Sequence, residues 1–384
     1  MSAGHIRPRG PGAWELKYDV GCDPKTGRRI TRYKTVRGSK RDAQRELRNL
    51  LGAVDEGRHV DPGKLTLGGW LEEWLKEAEH NLSAKSFERY RETVDLHLVP
   101  AIGTIPLAKL QPVHIQSYYA DALKSGRKDG KGGLSQQTVH HHARLLSVAL
   151  RRARALRLIA TNPLEDTVRP KVERKELQTL EPDETAKLLA TAEGTRLLVP
   201  VFIALATGLR RGELLALRWC DVDLPGKMLR LVQSLEQTDA GLRFKAPKTK
   251  RSRRTIALPE SAVEILRRHK ISQLEERLQL GLGRDERGLV FAEIAGEPVI
   301  PDNFTRKFAR LVKRAKIRPI TFHGLRHTHI TNLLREGVHP KIASERAGHA
   351  SVAITLDVYS HAVPGLQEDA AQRIDASLRK ALGE

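Results

Sequence analysis

The sequence predicts a multidomain chain: a small α+β unit, an all-α helical bundle, and a larger mixed α/β domain that is mainly helical. Three observations carry that prediction. Residues 1–60 contain strand-period stretches, residues 61–165 contain only helix-period stretches, and residues 179–384 mix the two after a charged linker. A length of 384 residues allows two or three domains, and 40% hydrophobic residues is enough for ordinary cores.

In the first unit, Trp14, Leu16, Tyr18 and Val20 alternate along WELKYDV, the period of a half-buried strand. DPKTG (23–27) reads as a turn and RRITRYKTV as the returning strand. Ser39 can cap a helix that runs to about Glu56, with Gly57 as its stop. The unit carries 14 Lys/Arg against 7 Asp/Glu, a net of +7, which favours a DNA-binding arm over a structural appendage.

In the second unit, Thr66 precedes a helix with Leu67, Trp70, Leu71, Trp74 and Leu75 on one stripe. Ser83 opens a second helix, to about Leu98, with Pro100 as its stop. A third runs from near Pro112 to Leu123. After the Gly/Lys loop 124–135, a fourth covers about 135–158. That last helix carries Arg144 and Arg151 among several arginines suited to phosphate contacts. His140, His141 and His142 are consecutive, so on a helix they point about 100° apart and cannot share one metal. They read as surface or DNA-facing residues.

Residues 166–178 are charged, contain Pro170, and read as a linker. Pro182 then opens a new domain, with acids beside it that favour a helix N-terminus. Strands are expected at about 228–237, 242–246, 253–258 and 289–292.

The net charge of +21 points to a polyanionic partner. Two distant cysteines, Cys22 and Cys220, exclude a disulfide framework and a Cys-rich zinc module, and suit a reducing cytoplasm. The opening MSAGHIRPRG has no apolar core like a signal peptide's, and no apolar run is long enough to span a membrane.

Four stretches of the last domain carry the chemistry. In ATGLRRGELLALRW (206–219), Gly208 ends one helix, Arg210 starts the next, and Glu213 is three residues on, close enough to orient Arg210. RFKAPKTKRSRRTIALP (243–259) holds seven basic residues and no acid between Arg243 and Arg254, which reads as a basic hairpin laid along DNA, with one lysine reaching a phosphate. In TFHGLRHTHI, His323, Arg326 and His327 share a helix face. A zinc-protease reading fails there: Gly324 stands where a glutamate is needed, and Arg326 between the ligands would repel a dication. RAGHASVAITLDVYSHAVP brings His349 and Tyr359.

Together these supply arginines, a lysine, histidines and a tyrosine, with no carboxylate pair and no metal cage. Such a set suits phosphoryl transfer, where the site must position groups and stabilise charge on non-bridging oxygens. Arg210 and Arg326 can each grip a phosphate with a two-pronged fork. Tyr359 can be the nucleophile, His323 can accept or relay its proton, and Lys248 can protonate the leaving alkoxide.

The order Arg…Lys…His-x-x-Arg…His…Tyr resembles the tyrosine recombinases, or phage integrase family. TGLRRGELLALRW, PKTKRSRRTIALP, HGLRHTH, AGHAS and DVYSH look like its motif boxes, in family order. AGHAS departs mildly from the commoner leucine-glycine-histidine form but keeps the histidine. The resemblance implies that Arg210, Lys248, His323, Arg326 and His349 surround the scissile phosphate, with Glu213 in support. Tyr359 would attack it, giving a 3′-phosphotyrosine link and a free 5′-hydroxyl, with no metal, ATP or other cofactor. Arg243, Lys245, Lys250, Arg251, Arg253, Arg144 and Arg151 become candidate DNA contacts.

The implied fold class is a small α+β N-terminal domain with a three-stranded sheet plus helix (1–60), an all-α, SAM-like core-binding bundle (61–165), and a mixed α/β tyrosine-recombinase catalytic domain (179–384). The first resembles the arm-binding domain of lambda-type integrases. A C-terminal helix at 366–382 has Leu366, Ala370, Ile374, Leu378 and Leu382 on one face. In family members such a helix docks on a neighbouring protomer. The implied activity is site-specific integration and excision of a phage or mobile element, on double-stranded DNA with core and arm sites, by a homotetramer. The expected location is the host cytoplasm, at the nucleoid. The resemblance admits a host DNA-bending protein and an excision directionality factor as further partners. Two competing readings are a type IB topoisomerase-like relaxation enzyme and a non-catalytic DNA-binding protein on the same fold.

Overall fold

The structure, a computed structural model, describes residues 4–22, 29–55, 65–173, 178–246, 253–283, 285, 287–349, 351–359 and 366–383. The chain divides into two compact units, Met1–Glu173 and Arg174–Glu384.

The first unit opens with an antiparallel sheet of β1 (Gly4–Gly10), β2 (Ala13–Cys22) and β3 (Arg29–Arg37), in that order. Leu16 pairs with Ile6 on one side and Lys34 on the other, so the alternation of β2 sets the face. α1 (Lys40–Asp55) covers that face, burying Leu16, Tyr18, Ala43 and Leu47. Ser39 and Asp42 cap α1 reciprocally: the Asp42 amide donates to Ser39 Oγ at 3.3 Å and the Ser39 amide to Asp42 Oδ2 at 3.1 Å. The expected 23–27 turn and Gly57 stop lie outside the described residues.

α2 (Leu67–Glu79), α3 (Ala84–Thr93), α4 (Val99–Ile102), α5 (Pro112–Ser125) and α6 (Gln136–Ala155) surround a second core. Thr66 accepts from the Gly69 amide at 3.1 Å, and the indole N–H of buried Trp70 donates to the Ala149 carbonyl at 3.1 Å. Pro100 does not stop the helix, contrary to expectation. A π turn at Val94–Leu98 precedes it, so proline enters within the first turn of α4, where no amide donor is required. The histidine triplet also needs correction. His142 is buried, with its Nδ1 at 2.7 Å from the Tyr118 hydroxyl and its ring 4.9 Å from that of His97. It lies three residues after Val139 and four before Leu146, on the apolar stripe of α6.

The second unit contains α7 (Pro182–Ala192), α8 (Leu198–Thr207), α9 (Arg211–Leu215), β4 (Val222–Asp223), β5 (Met228–Leu231), β6 (Ser234–Thr238), β7 (Gly241–Lys245), β8 (Arg254–Ala257), α10 (Glu260–Gln279), α11 (Pro301–Arg314), α12 (Phe322–Arg335), α13 (Pro340–Ala347), α14 (Val352–Tyr359) and α15 (Leu366–Leu382). Its core includes Leu188, Ile203, Leu214, Leu229, Ile256 and Leu325. Phe322 at the start of α12 meets Phe304 and Phe308 of α11 edge-on, at 4.9 and 5.3 Å.

Three strand expectations change. The 228–237 stretch is two strands in two sheets: β5 lies between β4 and β8, while β6 pairs with β7. The break falls at Gln233, whose side chain turns to the Ala216 carbonyl at 2.8 Å. It follows that 243–259 is not one hairpin, because β7 and β8 have different partners. The 289–292 segment is no strand either; it makes isolated bridges to Arg218 and Pro298. Among the described residues no helix is long and apolar enough to cross a membrane. On α15, Ile374, Leu378 and Leu382 are exposed.

Candidate active site

Two helix C-termini organise the site. α8 ends at Gly208, whose φ of 66° is left-handed, and α13 ends at Gly348, with φ 65°. The last carbonyls of a helix lack internal partners and carry partial negative charge. Here cationic side chains and an imidazole take them.

Arg326 of α12 is only 1% exposed. One guanidinium nitrogen donates to the Gly208 carbonyl at 2.7 Å and the other to the Ala347 carbonyl. Arg210 caps the start of α9, its amide donating to Glu213 Oε2 at 3.0 Å. Its guanidinium donates to Glu213 Oε1 at 2.8 Å and to the Gly348 carbonyl at 3.1 Å. Glu213 therefore does orient Arg210, as its spacing implies. Burial pushes the Glu213 carboxyl up, but Arg254 and then Arg210 bring it below the usual carboxylate range.

His323 and His327 lie on one face of α12 with rings 4.7 Å apart, edge to face. Burial first, then Arg326, then Arg210 hold His323 below the ordinary imidazole value. His349 follows α13, with Nδ1 2.8 Å from Thr355 Oγ1 of α14. Burial and then Arg326 and Arg210 bring it down to about 4, so it is neutral at pH 7. α14 delivers Tyr359 as its last residue; its side chain lies outside the described residues, as do Lys248, Lys250 and Arg251 altogether.

Arg210, Glu213, Arg326, His323 and His349 thus come together. The other described candidates lie on other elements. Arg243 and Lys245 lie on β7, where Lys245 is paired with Glu236 of β6. Arg253 is exposed just before β8. Arg144 and Arg151 are exposed on α6 of the other unit, and Arg151 Nε donates to the Ser147 carbonyl at 3.2 Å. Among the described residues no group of three or more His, Cys, Asp or Glu is placed to hold a metal ion.

Sequence reasoning missed three supports. Arg254 pairs with Glu213 at 3.1 Å and is 7% exposed in its side chain. Its signal was available: it lies two residues before buried Ile256 along β8, so the two share the inward face. Arg346 donates to the Ala206 carbonyl at 3.2 Å, and His329 Nδ1 lies 2.7 Å from the Leu205 carbonyl. Neither has a local sequence signature.

The chain is similar to known proteins in sequence and in fold. The sequence model of the phage integrase family matches residues 178–364, and that of the phage integrase N-terminal SAM-like domain matches 66–123. A tyrosine recombinase XerC-like protein of Caldanaerobacter subterraneus is 28% identical over 359 residues, covering 88% of this chain and 90% of that one. The ICEBs1 integrase of Bacillus subtilis is 26% identical, covering 95% and 97%. In fold, the chain resembles the Tn1549 transposon integrase in complex with transposon right end DNA (TM-score 0.68, 22% identity, 81% of this chain and 99% of that one). It also resembles a lambda integrase tetramer bound to a Holliday junction (TM-score 0.56, 22% identity, 90% and 95%).

Proposed function

This chain belongs to the tyrosine recombinase, or phage integrase, family, and from that premise we propose how its residues act as a site-specific DNA recombinase. It cuts and rejoins DNA through a 3′-phosphotyrosine intermediate to integrate and excise a mobile element. The observation that carries this is the convergence of Arg210 and Arg326 beside two neutral-leaning imidazoles, His323 and His349, with α14 ending at Tyr359.

The chemistry follows from those groups. Arg210 presents a guanidinium that Glu213 and the Gly348 carbonyl hold in place, and its side chain remains 39% exposed. It grips one non-bridging oxygen, and Arg326 supplies charge from beneath. The Tyr359 hydroxyl attacks phosphorus, and its proton passes to His323. The bond to the 5′ oxygen breaks, and Lys248 returns a proton to that oxygen. Attack by a partner strand's 5′-hydroxyl reverses the step and completes strand exchange. His349 donates to the phosphate while staying uncharged.

DNA is held by phosphate contacts from Arg144, Arg151, Arg243, Lys245, Lys250, Arg251 and Arg253. The open face of the N-terminal sheet carries Arg7, Lys17 and Arg37 and serves as the arm-site reader. Ile374, Leu378 and Leu382 of α15 pack on a second copy, so four protomers assemble on DNA, with a bending protein and a directionality factor as optional additions.

The test is a trap in cells carrying the element. Wild-type protein and Tyr359→Phe are denatured rapidly, and protein-linked DNA is recovered and sequenced. Adducts at a few defined sequences, lost in the variant, are expected. Adducts without sequence preference would instead indicate a relaxation enzyme, and none at all a non-catalytic binder.

A further inference from the structure

Three successive carbonyls at the end of α13 are each taken by a different arginine. Arg254 Nε donates to Arg346 O at 2.7 Å, Arg326 to Ala347 O, and Arg210 to Gly348 O at 3.1 Å. Two of these arginines belong to the phosphate site. The third, Arg254, is too buried to reach DNA, with a side chain 7% exposed. Both of its Nη atoms also donate to Glu213: Nη1 to Oε1 at 3.3 Å and Nη2 to Oε2 at 3.1 Å. Each Glu213 oxygen thereby receives one bond from Arg254 and one from Arg210, through the Arg210 side chain on Oε1 and the Arg210 amide on Oε2.

We propose that Arg254 is a positioning residue: it neutralises Glu213 and ties it to the end of α13, so that Arg210 is held in place with its own charge left for the scissile phosphate. This rests on the reading of Arg210 as a phosphate-gripping residue. The physical reason is charge balance. A buried carboxylate with one cationic partner cancels that partner. With two, the site keeps a net positive charge facing the phosphate. The connectivity adds geometry. Arg254 sits on β8, just after the segment that carries Lys248, and joins it to α9 through Glu213 and to the turn before His349 through Arg346. One side chain thus links three motif segments. Lysine cannot replace it fully, because a single ammonium cannot bond both Glu213 oxygens and a backbone carbonyl in that fork.

The test is a double-mutant cycle on wild type, Arg254→Gln, Glu213→Gln and the double variant, with Arg254→Lys as the conservative change. The probe is a nicked duplex of the sequence recovered from the cellular trap. Cleavage rate and duplex binding are measured separately on protein with an intact melting transition. Arg254→Gln is expected to slow cleavage about 10- to 100-fold while binding moves less than about 3-fold, and Arg254→Lys to fall between it and wild type. In the Glu213→Gln background the same Arg254 change should cost less than about 3-fold, because a neutral carboxamide needs no counter-charge. Independent penalties, or binding lost in step with cleavage, would overturn the proposal. A readout without DNA separates it from the reading it rests on. The Glu213 carboxyl, followed by carbon-13 NMR, should titrate at higher pH in Arg254→Gln, or in Arg254→Lys should Arg254→Gln fail to fold. A carboxyl that does not move would overturn the pairing even if wild type cleaves. One that moves while wild type forms no adduct would uphold the pairing and contradict the recombinase assignment of this site.

Discussion

Arg326 is almost absent from the molecular surface, yet a buried guanidinium is stable only when its donors are satisfied. The carbonyls of Gly208 and Ala347 each take one of its Nη donors and add the negative ends of two helices. Arg326→Lys keeps the charge but loses the fork. Single-turnover cleavage is expected to fall on the order of 10²-fold or more, and a lysine variant cleaving at the wild-type rate would contradict that role. Tyr359→Phe removes one oxygen and should abolish the covalent adduct with duplex affinity within about 3-fold of wild type. At this scale the sequence was most informative where spacing alone sets geometry. His323, Arg326 and His327 share a helix face by periodicity, and Glu213 reaches Arg210 because it is three residues on. It was silent on Arg346 and His329, which meet α8 from more than 100 residues away.

Among the elements, α8 and α13 matter through how they end. Both stop on a left-handed glycine, and at Gly208 an added Cβ would lie 2.6 Å from His329 Cδ2. Gly208→Ala combines backbone strain with that clash and should cost about 1–3 kcal/mol, lowering the melting temperature by about 3–10 °C. An unchanged melting temperature would mean that the turn relaxes freely. Helices were legible here because their stripes and caps are local: Thr66, Ser39 and Pro182 open helices as their chemistry requires. Strands were less so. β5 and β6 read as one run because partner choice, not side-chain period, separates them at Gln233. Likewise 289–292 has an apolar strand-like run, but its backbone groups find single partners and not a ladder.

Across the whole molecule, buried imidazoles couple both units to pH. His142 in the first unit and His329 in the second are each held down to about 4, chiefly by burial. An unfolded histidine titrates near 6.5, so the unfolded chain takes up protons first as pH falls. Stability is fully present above about pH 6.5, drains as pH falls towards 4, and levels off below, each group contributing on the order of 3 kcal/mol. Melting curves between pH 7 and 4 should show this in both units, and a flat profile would contradict it. The net charge of +21 adds a second expectation. Duplex affinity should drop on the order of 10³-fold between about 50 and 200 mM salt, as it does when many phosphates are neutralised. A shallow dependence would argue against extensive phosphate contacts.

The central claim is that Tyr359 carries the DNA strand during exchange. The direct measurement is mass spectrometry of the protease-digested adduct recovered from cells. A nucleotide attached through a 3′-phosphate to the peptide containing Tyr359 is the predicted result. A nucleotide on any other residue, or adducts that persist in Tyr359→Phe, would contradict it.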